Sequence, residues 1–192
     1  MAQASHARWS HERLGRLIKF PPRYENSLYG PLNAIFADIF SPSRGFIICP
    51  QPIVQERTII ESHPAAPSTA SGPSFIDPVL ETNPESVKIW IPDFIIVKGR
   101  EVMGTASDLV LALIEVKNNA AKRDAYMRQV TNYLDALPIE TCSNGFVAYL
   151  IMGGETVIWR SEGQGANRTR VRGSVAIHTG GRAFLSGLSA LG

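Results

Sequence analysis

Apolar residues run unbroken from Leu109 to Ile114 and then give way to Glu115-Val116-Lys117. A run that is apolar at every position predicts a strand, Leu109 to Lys117, buried on both faces of a sheet. A second strand is predicted from Lys88 to Val97, with Pro92-Asp93 set between Ile89-Trp90-Ile91 and Phe94-Ile95-Ile96-Val97. Residues Gly99 to Ser107 supply the turn between them. Further along, Phe146 to Met152 predicts another buried strand and Gly153-Gly154 a tight turn. Thr156 to Arg160 then predicts a hairpin strand, and Val171 to His178 a candidate outer strand.

Helical spacing of Leu28, Leu32, Ile35, Phe36 and Ile39 predicts a helix from Tyr24 to Phe40, closed by Ser41-Pro42. Gly30-Pro31 either sets its true start or kinks it. Ala120 to Leu137 predicts an amphipathic helix, capped by Asn118-Asn119 and stopped by Pro138. Phe46 to Ile60 reads as extended chain, which Pro50 and Pro52 confine to a sheet edge or a bulge. The order helix, three strands, helix, strand is buried most simply as an α/β fold, a central mixed β-sheet flanked by helices.

A length of 192 residues fits one domain. Its parts read as a basic N-terminal segment over 1–23, a core domain over 24–160, and a basic, Gly-rich segment over 161–192 packed on or extending that core. Within the core, 62–86 reads as a loop insertion, because Pro64, Pro67, Pro73, Pro78 and Pro84 sit among Ser, Thr, Ala and Gly. No apolar stretch is long enough to span a bilayer, so no membrane partner is expected. Cys49 and Cys142 lack metal-ligand spacing and read as buried thiols in a reducing, intracellular setting, cytoplasm or nucleus. The Arg-rich first twenty residues lack the apolar stretch of a secretory signal and read as a retained basic helix, with mitochondrial targeting left open.

The formal net charge of +2 hides an uneven distribution. Before Tyr24, Arg8, Arg13, Arg16, Lys19 and Arg23 stand against Glu12. From Arg160 onward, Arg160, Arg168, Arg170, Arg172 and Arg182 stand against Glu162. Five bases less one acid make each end +4, which leaves −6 for the middle. Basic ends around an acidic centre suit a polyanion held by its phosphates.

The acids in the two strands stand where apolar residues are expected. Burying a carboxylate is costly without a compensating charge, and a divalent cation is the usual compensation for two converging acids. By alternation Asp93 shares a face with Ile91 and Ile95, and Glu115 and Lys117 share one with Leu111 and Leu113. If the strands pair as a hairpin, Asp93 and Glu115 converge. With the Val116 backbone carbonyl and waters they then suit Mg²⁺ or Mn²⁺. Such a cation activates a bound water, and Lys117 offers a point charge to a phosphate-like transition state.

Pro92-Asp93 followed by Glu115-Val116-Lys117 resembles the PD-(D/E)xK nuclease superfamily, whose restriction-endonuclease-like core runs αβββαβ. On the next helix Gln129 and Tyr133 form Q-x-x-x-Y, which resembles the RecB-like and lambda-exonuclease-like branch. The resemblance implies a metal-dependent nuclease with Asp93 and Glu115 as ligands of Mg²⁺ or Mn²⁺ and Lys117 as catalytic partner. It also implies that Gln129 and Tyr133 orient the site and touch nucleic acid, with the neighbouring Arg128 reaching its backbone. Relatives carry a Glu on the first helix near the metal, and Glu25, in Tyr24-Glu25-Asn26-x-x-Tyr29, is the candidate, ahead of Glu12. DNA is favoured over RNA, with low sequence specificity and internal cutting preferred. A homodimer or larger assembly stays open. The alternative is a catalytically inactive nuclease-like fold that serves as a nucleic-acid-binding or protein-interaction module. Of the histidines, none is spaced for zinc, and only His63 is kept as an addition to the metal site. Trp9, Trp90 and Trp159 read as packing residues.

Overall fold

The apolar run from Leu109 becomes an inner strand of a mixed sheet. A computed structural model describes residues 2–56, 88–99, 108–162, 169–172 and 176–192. In chain order the elements are α1 (Ala2–Lys19), a 3₁₀ turn (Glu25–Leu28), α2 (Tyr29–Ile39), β1 (Phe46–Pro50), β2 (Val54–Glu56), β3 (Lys88–Trp90), β4 (Phe94–Lys98) and β5 (Leu109–Lys117). They continue with α3 (Arg123–Ala136), β6 (Cys142–Met152), β7 (Glu155–Glu162), β8 (Thr169–Arg172), β9 (Ile177–His178) and α4 (Arg182–Ser189). The main sheet has the order β1-β4-β5-β6-β7-β8, with β9 also beside β7, while β2 and β3 form a separate ribbon. Among the described residues only β5 and β6 pair parallel; α3 makes the crossover that a parallel pair requires.

Helices cover both faces. On one, Leu14 of α1, Leu32, Ile35 and Phe36 of α2, and Phe184 and Leu188 of α4 pack against Phe94, Ile96, Ile114 and Val116. On the other, Val130, Tyr133 and Leu134 of α3 pack against Ile95, Leu113, Ala148 and Leu150. Each buried Val, Leu, Ile or Phe among these contributes about 1.5–3 kcal/mol by leaving water. Phe94 is the hub nearest the acids: Tyr29 and Phe36 meet it edge-on at centroid distances of 5.5 and 5.4 Å. Those contacts fix α2 against the start of β4.

Several sequence expectations need correction. The strand expected over Lys88 to Val97 is two strands. Pro92 has no N–H for a ladder, so Ile91-Pro92-Asp93 leaves the pairing. Before it, Trp90 pairs with Val54; after it, Phe94 pairs with Ile114. The expected extended segment from Phe46 likewise divides into β1, at the edge of the main sheet, and β2. Gly30-Pro31 does not kink α2 but lies in its first turn, where a missing N–H has no partner to lose. Asn118-Asn119 does not cap α3, which starts at Arg123 without a side-chain cap. Instead the Asn119 Oδ1 accepts the Ala121 N–H at 2.9 Å and closes a turn ahead of the helix.

Leu111 packs on the face opposite Leu113, against expectation. Val97 pairs with Val110 and Ile96 with Ala112, so Leu111 is an extra residue and resets the alternation. Strand β6 starts at Cys142, earlier than its apolar run. Trp9 is 57% exposed and is no packing residue, whereas Trp159 is buried. Cys142 is buried but Cys49 only half so, and neither is in a disulfide among the described residues. The insertion 62–86, His63 and the turn residues 100–107 lie outside the described residues. No helix among the described residues is long and apolar enough to cross a membrane.

Candidate active site

Antiparallel pairing of Phe94 with Ile114 brings the next residues outward, Asp93 and Glu115, to the same end of the sheet. Asp93 is 8% exposed and Glu115 1%. Where a ladder bond would fall, the Asp93 Oδ2 accepts the Val116 N–H at 2.6 Å. The Lys117 carbonyl accepts the Gly153 N–H at 2.9 Å on the β6 side. One residue back, Val116 therefore turns its N–H and carbonyl to the β4 side, towards Asp93. The other Asp93 oxygen accepts the hydroxyl of Tyr29, from the first turn of α2.

Glu115 makes one bond and lacks another. Its Oε1 lies 2.6 Å from the Lys117 Nζ, and its Oε2 is buried without a hydrogen-bond partner among the described residues. Burial first, and the nearby Asp93 charge second, push the Glu115 carboxyl up to about 7, although Lys117 pulls the other way. For Lys117, burial alone lowers the ammonium, but pairing with Glu115 and the charges of Glu25 and Asp93 leave it raised and charged. Its Nζ stands 3.6 Å from the Glu25 Oε2 and 5.6 Å from the centre of the Tyr126 ring.

Gln129 and Tyr133 of α3 share a face, as their spacing predicts. The Gln129 Nε2 donates to the Tyr133 hydroxyl, which donates in turn to the Ile91 carbonyl at 3.3 Å. Burial, and then the Glu115 charge, raise the Tyr133 phenol above its ordinary range, so it remains a donor at neutral pH. Trp90 meets the Tyr133 ring edge-on at 6.0 Å. Arg128 is exposed on the same helix, turned roughly 100° from Gln129, and stands apart from the cluster.

The structure thus joins Asp93, Glu115, Val116, Lys117, Gln129 and Tyr133, with Glu25 reaching in through Lys117. Among the described residues, no three His, Cys, Asp or Glu side chains gather into a ready metal cluster. The candidate ligand set is therefore two carboxylates and a backbone carbonyl, with Glu25, its side chain 41% exposed, at the rim.

Sequence reasoning missed Tyr29. Its signal was its place four residues after Glu25, one helical turn along. Burial, then its bond to Asp93, raise its phenol well above the ordinary range. Reasoning also missed Asn118, whose Nδ2 lies 3.5 and 3.4 Å from the Pro22 and Arg23 carbonyls and ties that segment to the end of β5. Gly153 turns β6 into β7 at φ +60°, where a Cβ would lie 2.8 Å from the Asn118 carbonyl oxygen. Compared with family models, with curated proteins and with solved structures, the chain finds no match in any of the three.

Proposed function

We propose that the chain is a Mg²⁺- or Mn²⁺-dependent nuclease of the restriction-endonuclease-like fold, hydrolysing phosphodiesters with low sequence specificity, DNA before RNA. The observation that carries this reading is Glu115. A carboxylate buried beside a second one, with an oxygen that has no hydrogen-bond partner among the described residues, is costly unless a cation completes it. That orphaned Oε2 is the feature a metal fits. Asp93, Glu115 and the Val116 carbonyl would hold the ion, with Glu25 as a further acid. The ion, when bound, supplies a Lewis acid and an activated water.

The chain's own groups do the rest. Tyr29 and the Val116 N–H fix the Asp93 carboxylate from two sides. Lys117, kept charged, presents a cation to a phosphate oxygen as negative charge builds there. Tyr133, steadied by Gln129 and by the Ile91 carbonyl, keeps a neutral phenol near the Glu115 carboxylate. The fold reading is supported by the antiparallel succession β1-β4-β5, then α3, then β6 parallel to β5.

One observation favours the rival, a non-catalytic nucleic-acid-binding or protein-interaction module. Lys117 already neutralises Glu115 from within, as a metal-free scaffold would require. Incubation of plasmid and single-stranded DNA and RNA with Mg²⁺, Mn²⁺ or EDTA separates the two. The nuclease reading expects metal-dependent cutting that Asp93→Asn abolishes. Undiminished cutting by Asp93→Asn, or none by the wild type with either metal, overturns it.

A further inference from the structure

The large exposed aromatic side chains of the described residues are Trp9, Phe20 and Tyr24, at 57%, 69% and 61% exposure, all within one sixteen-residue stretch. Four cations of the same stretch, Arg13, Arg16, Lys19 and Arg23, are also exposed and face one acid of that stretch, Glu12. Helical geometry orders these groups. Trp9, Arg13 and Arg16 recur at intervals of four and three and so form a single stripe of α1, and Phe20, just past the helix end with its N–H on the Arg16 carbonyl, continues it. Leu14, Leu17 and Ile18 turn the other way, into the core. The stripe opens on a cleft of about 350 Å³ lined by Trp9, Glu12, Arg13 and Arg16 on one side and by Ser27 and Pro31 on the other.

We infer that residues 9–24 are a track that captures single-stranded nucleic acid and delivers it to the carboxylate cluster. Its capture rests on these residues alone; its destination rests on the nuclease reading. The chemistry is that of unstacked bases beside phosphates. An exposed ring offers a stacking face to any base, and a neighbouring cation meets the phosphate that follows it. Here the pairing is already built: the Lys19 Nζ lies 5.5 Å from the Phe20 ring centre, and the Arg23 guanidinium 5.3 Å from that of Tyr24. Each ring carries a cation at one side and is otherwise open to solvent. A duplex keeps its base faces stacked on one another, so it would use the cations but not the rings.

The track also ends in the right place. Tyr24 precedes Glu25, whose carboxylate is 3.6 Å from the Lys117 ammonium. The Pro22 and Arg23 carbonyls face the Asn118 side chain, one residue beyond Lys117. Ile18 packs beside Gly154 in the turn that follows β6. A strand lying on the rings is therefore led towards Asp93 and Glu115.

The test is fluorescence anisotropy with labelled oligo-dT, oligo-U of equal length, and a blunt duplex, using full-length Asp93→Asn protein in EDTA so that no cutting intervenes. Single strands are expected to bind at least about tenfold tighter than the duplex. Trp9→Leu, Phe20→Leu and Tyr24→Leu each weaken that binding about 5- to 100-fold and leave duplex binding unchanged, whereas Phe20→Trp retains it. Arg13→Gln and Arg16→Gln each reduce the salt dependence of single-strand binding by about 0.7 in log–log slope. A preference between dT and U names the strand. Equal or tighter duplex binding, or indifference to Phe20→Leu with salt slopes unchanged, overturns the track. If ring-dependent binding is found but the wild type never cuts with Mg²⁺ or Mn²⁺, the track stands and the nuclease reading falls. If the wild type cuts and the rings are irrelevant, the reverse holds.

Discussion

Replacing Glu115 by Gln keeps the side-chain volume and removes the charge. Glu115 is 1% exposed, and burial with the Asp93 charge pushes its carboxyl up from 4.5 to about 7. A carboxyl raised in the folded state holds its proton more firmly there than in the unfolded chain. Its contribution to stability is therefore full below 4.5 and is lost as pH rises through about 7. The interval corresponds to about 3 kcal/mol. Gln has no proton to lose. Urea unfolding in EDTA at a series of pH values from 4.5 to 8 should thus show wild-type stability falling by about 3 kcal/mol relative to Glu115→Gln. Taking the difference between the two proteins cancels the titrating groups remote from Glu115 and leaves those coupled to it, Asp93, Lys117 and Glu25. Adding Mg²⁺ or Mn²⁺ at pH 8 should then stabilise the wild type and leave the variant unmoved, since the cation takes over the compensation of the same charge. Parallel curves in EDTA, or a variant that loses stability faster than the wild type, would refute the account of Glu115 as a destabilised, charge-hungry acid.

Three further outcomes follow from the geometry. Tyr29→Phe removes the phenolic bond to Asp93 and should cost about 1.5–3 kcal/mol in urea unfolding; a double-mutant cycle with Asp93→Asn should recover most of that as coupling energy. Lys117→Ala should abolish cutting while metal binding, followed calorimetrically, persists; in metal-free protein it should move the Glu115 titration, read by NMR, still higher, because the group that lowers it is gone. Gly153→Ala must adopt φ +60° and push its Cβ against the Asn118 carbonyl, and should cost at least ~2 kcal/mol in unfolding free energy. Gly145→Ala, which meets nothing within 4 Å, is the control and should be near neutral.

What could be read from residues alone was what local pattern dictates. Leu109 to Lys117 was legible because an inner strand buried on two faces leaves no room for polar punctuation until the sheet ends. The pairing of Asp93 with Glu115 was legible because it needs only two neighbouring strands with acids at the same end. The features that escaped are set by tertiary contact. Cys142 to Gly145 contains Ser, Asn and Gly and looks like a turn, yet β6 begins at Cys142, which pairs with Val110. Tyr29 belongs to the site because Phe94 anchors α2 there, a contact 65 residues apart that no spacing rule encodes. Residues 182–189 read only as part of the basic, Gly-rich segment 161–192, with no helix predicted, yet Phe184 and Leu188, one helical turn apart, suffice to bury α4. Trp9 was misjudged because composition assigns tryptophan to cores, whereas the core-facing stripe of α1 is already filled by Leu14, Leu17 and Ile18.

The unpaired Leu111 divides β5 into two stretches whose side-chain rhythms are set separately. Residues on the hairpin side of it answer to whatever connects β4 to β5; those beyond it answer to Phe94, Ile95 and their neighbours in the ladder. Lengthening or trimming the connection therefore shifts only the outer stretch, and the acid and the lysine keep their side of the sheet. Excising Leu111 itself would merge the two rhythms, and any later change in the connection would then be transmitted straight to the chemistry.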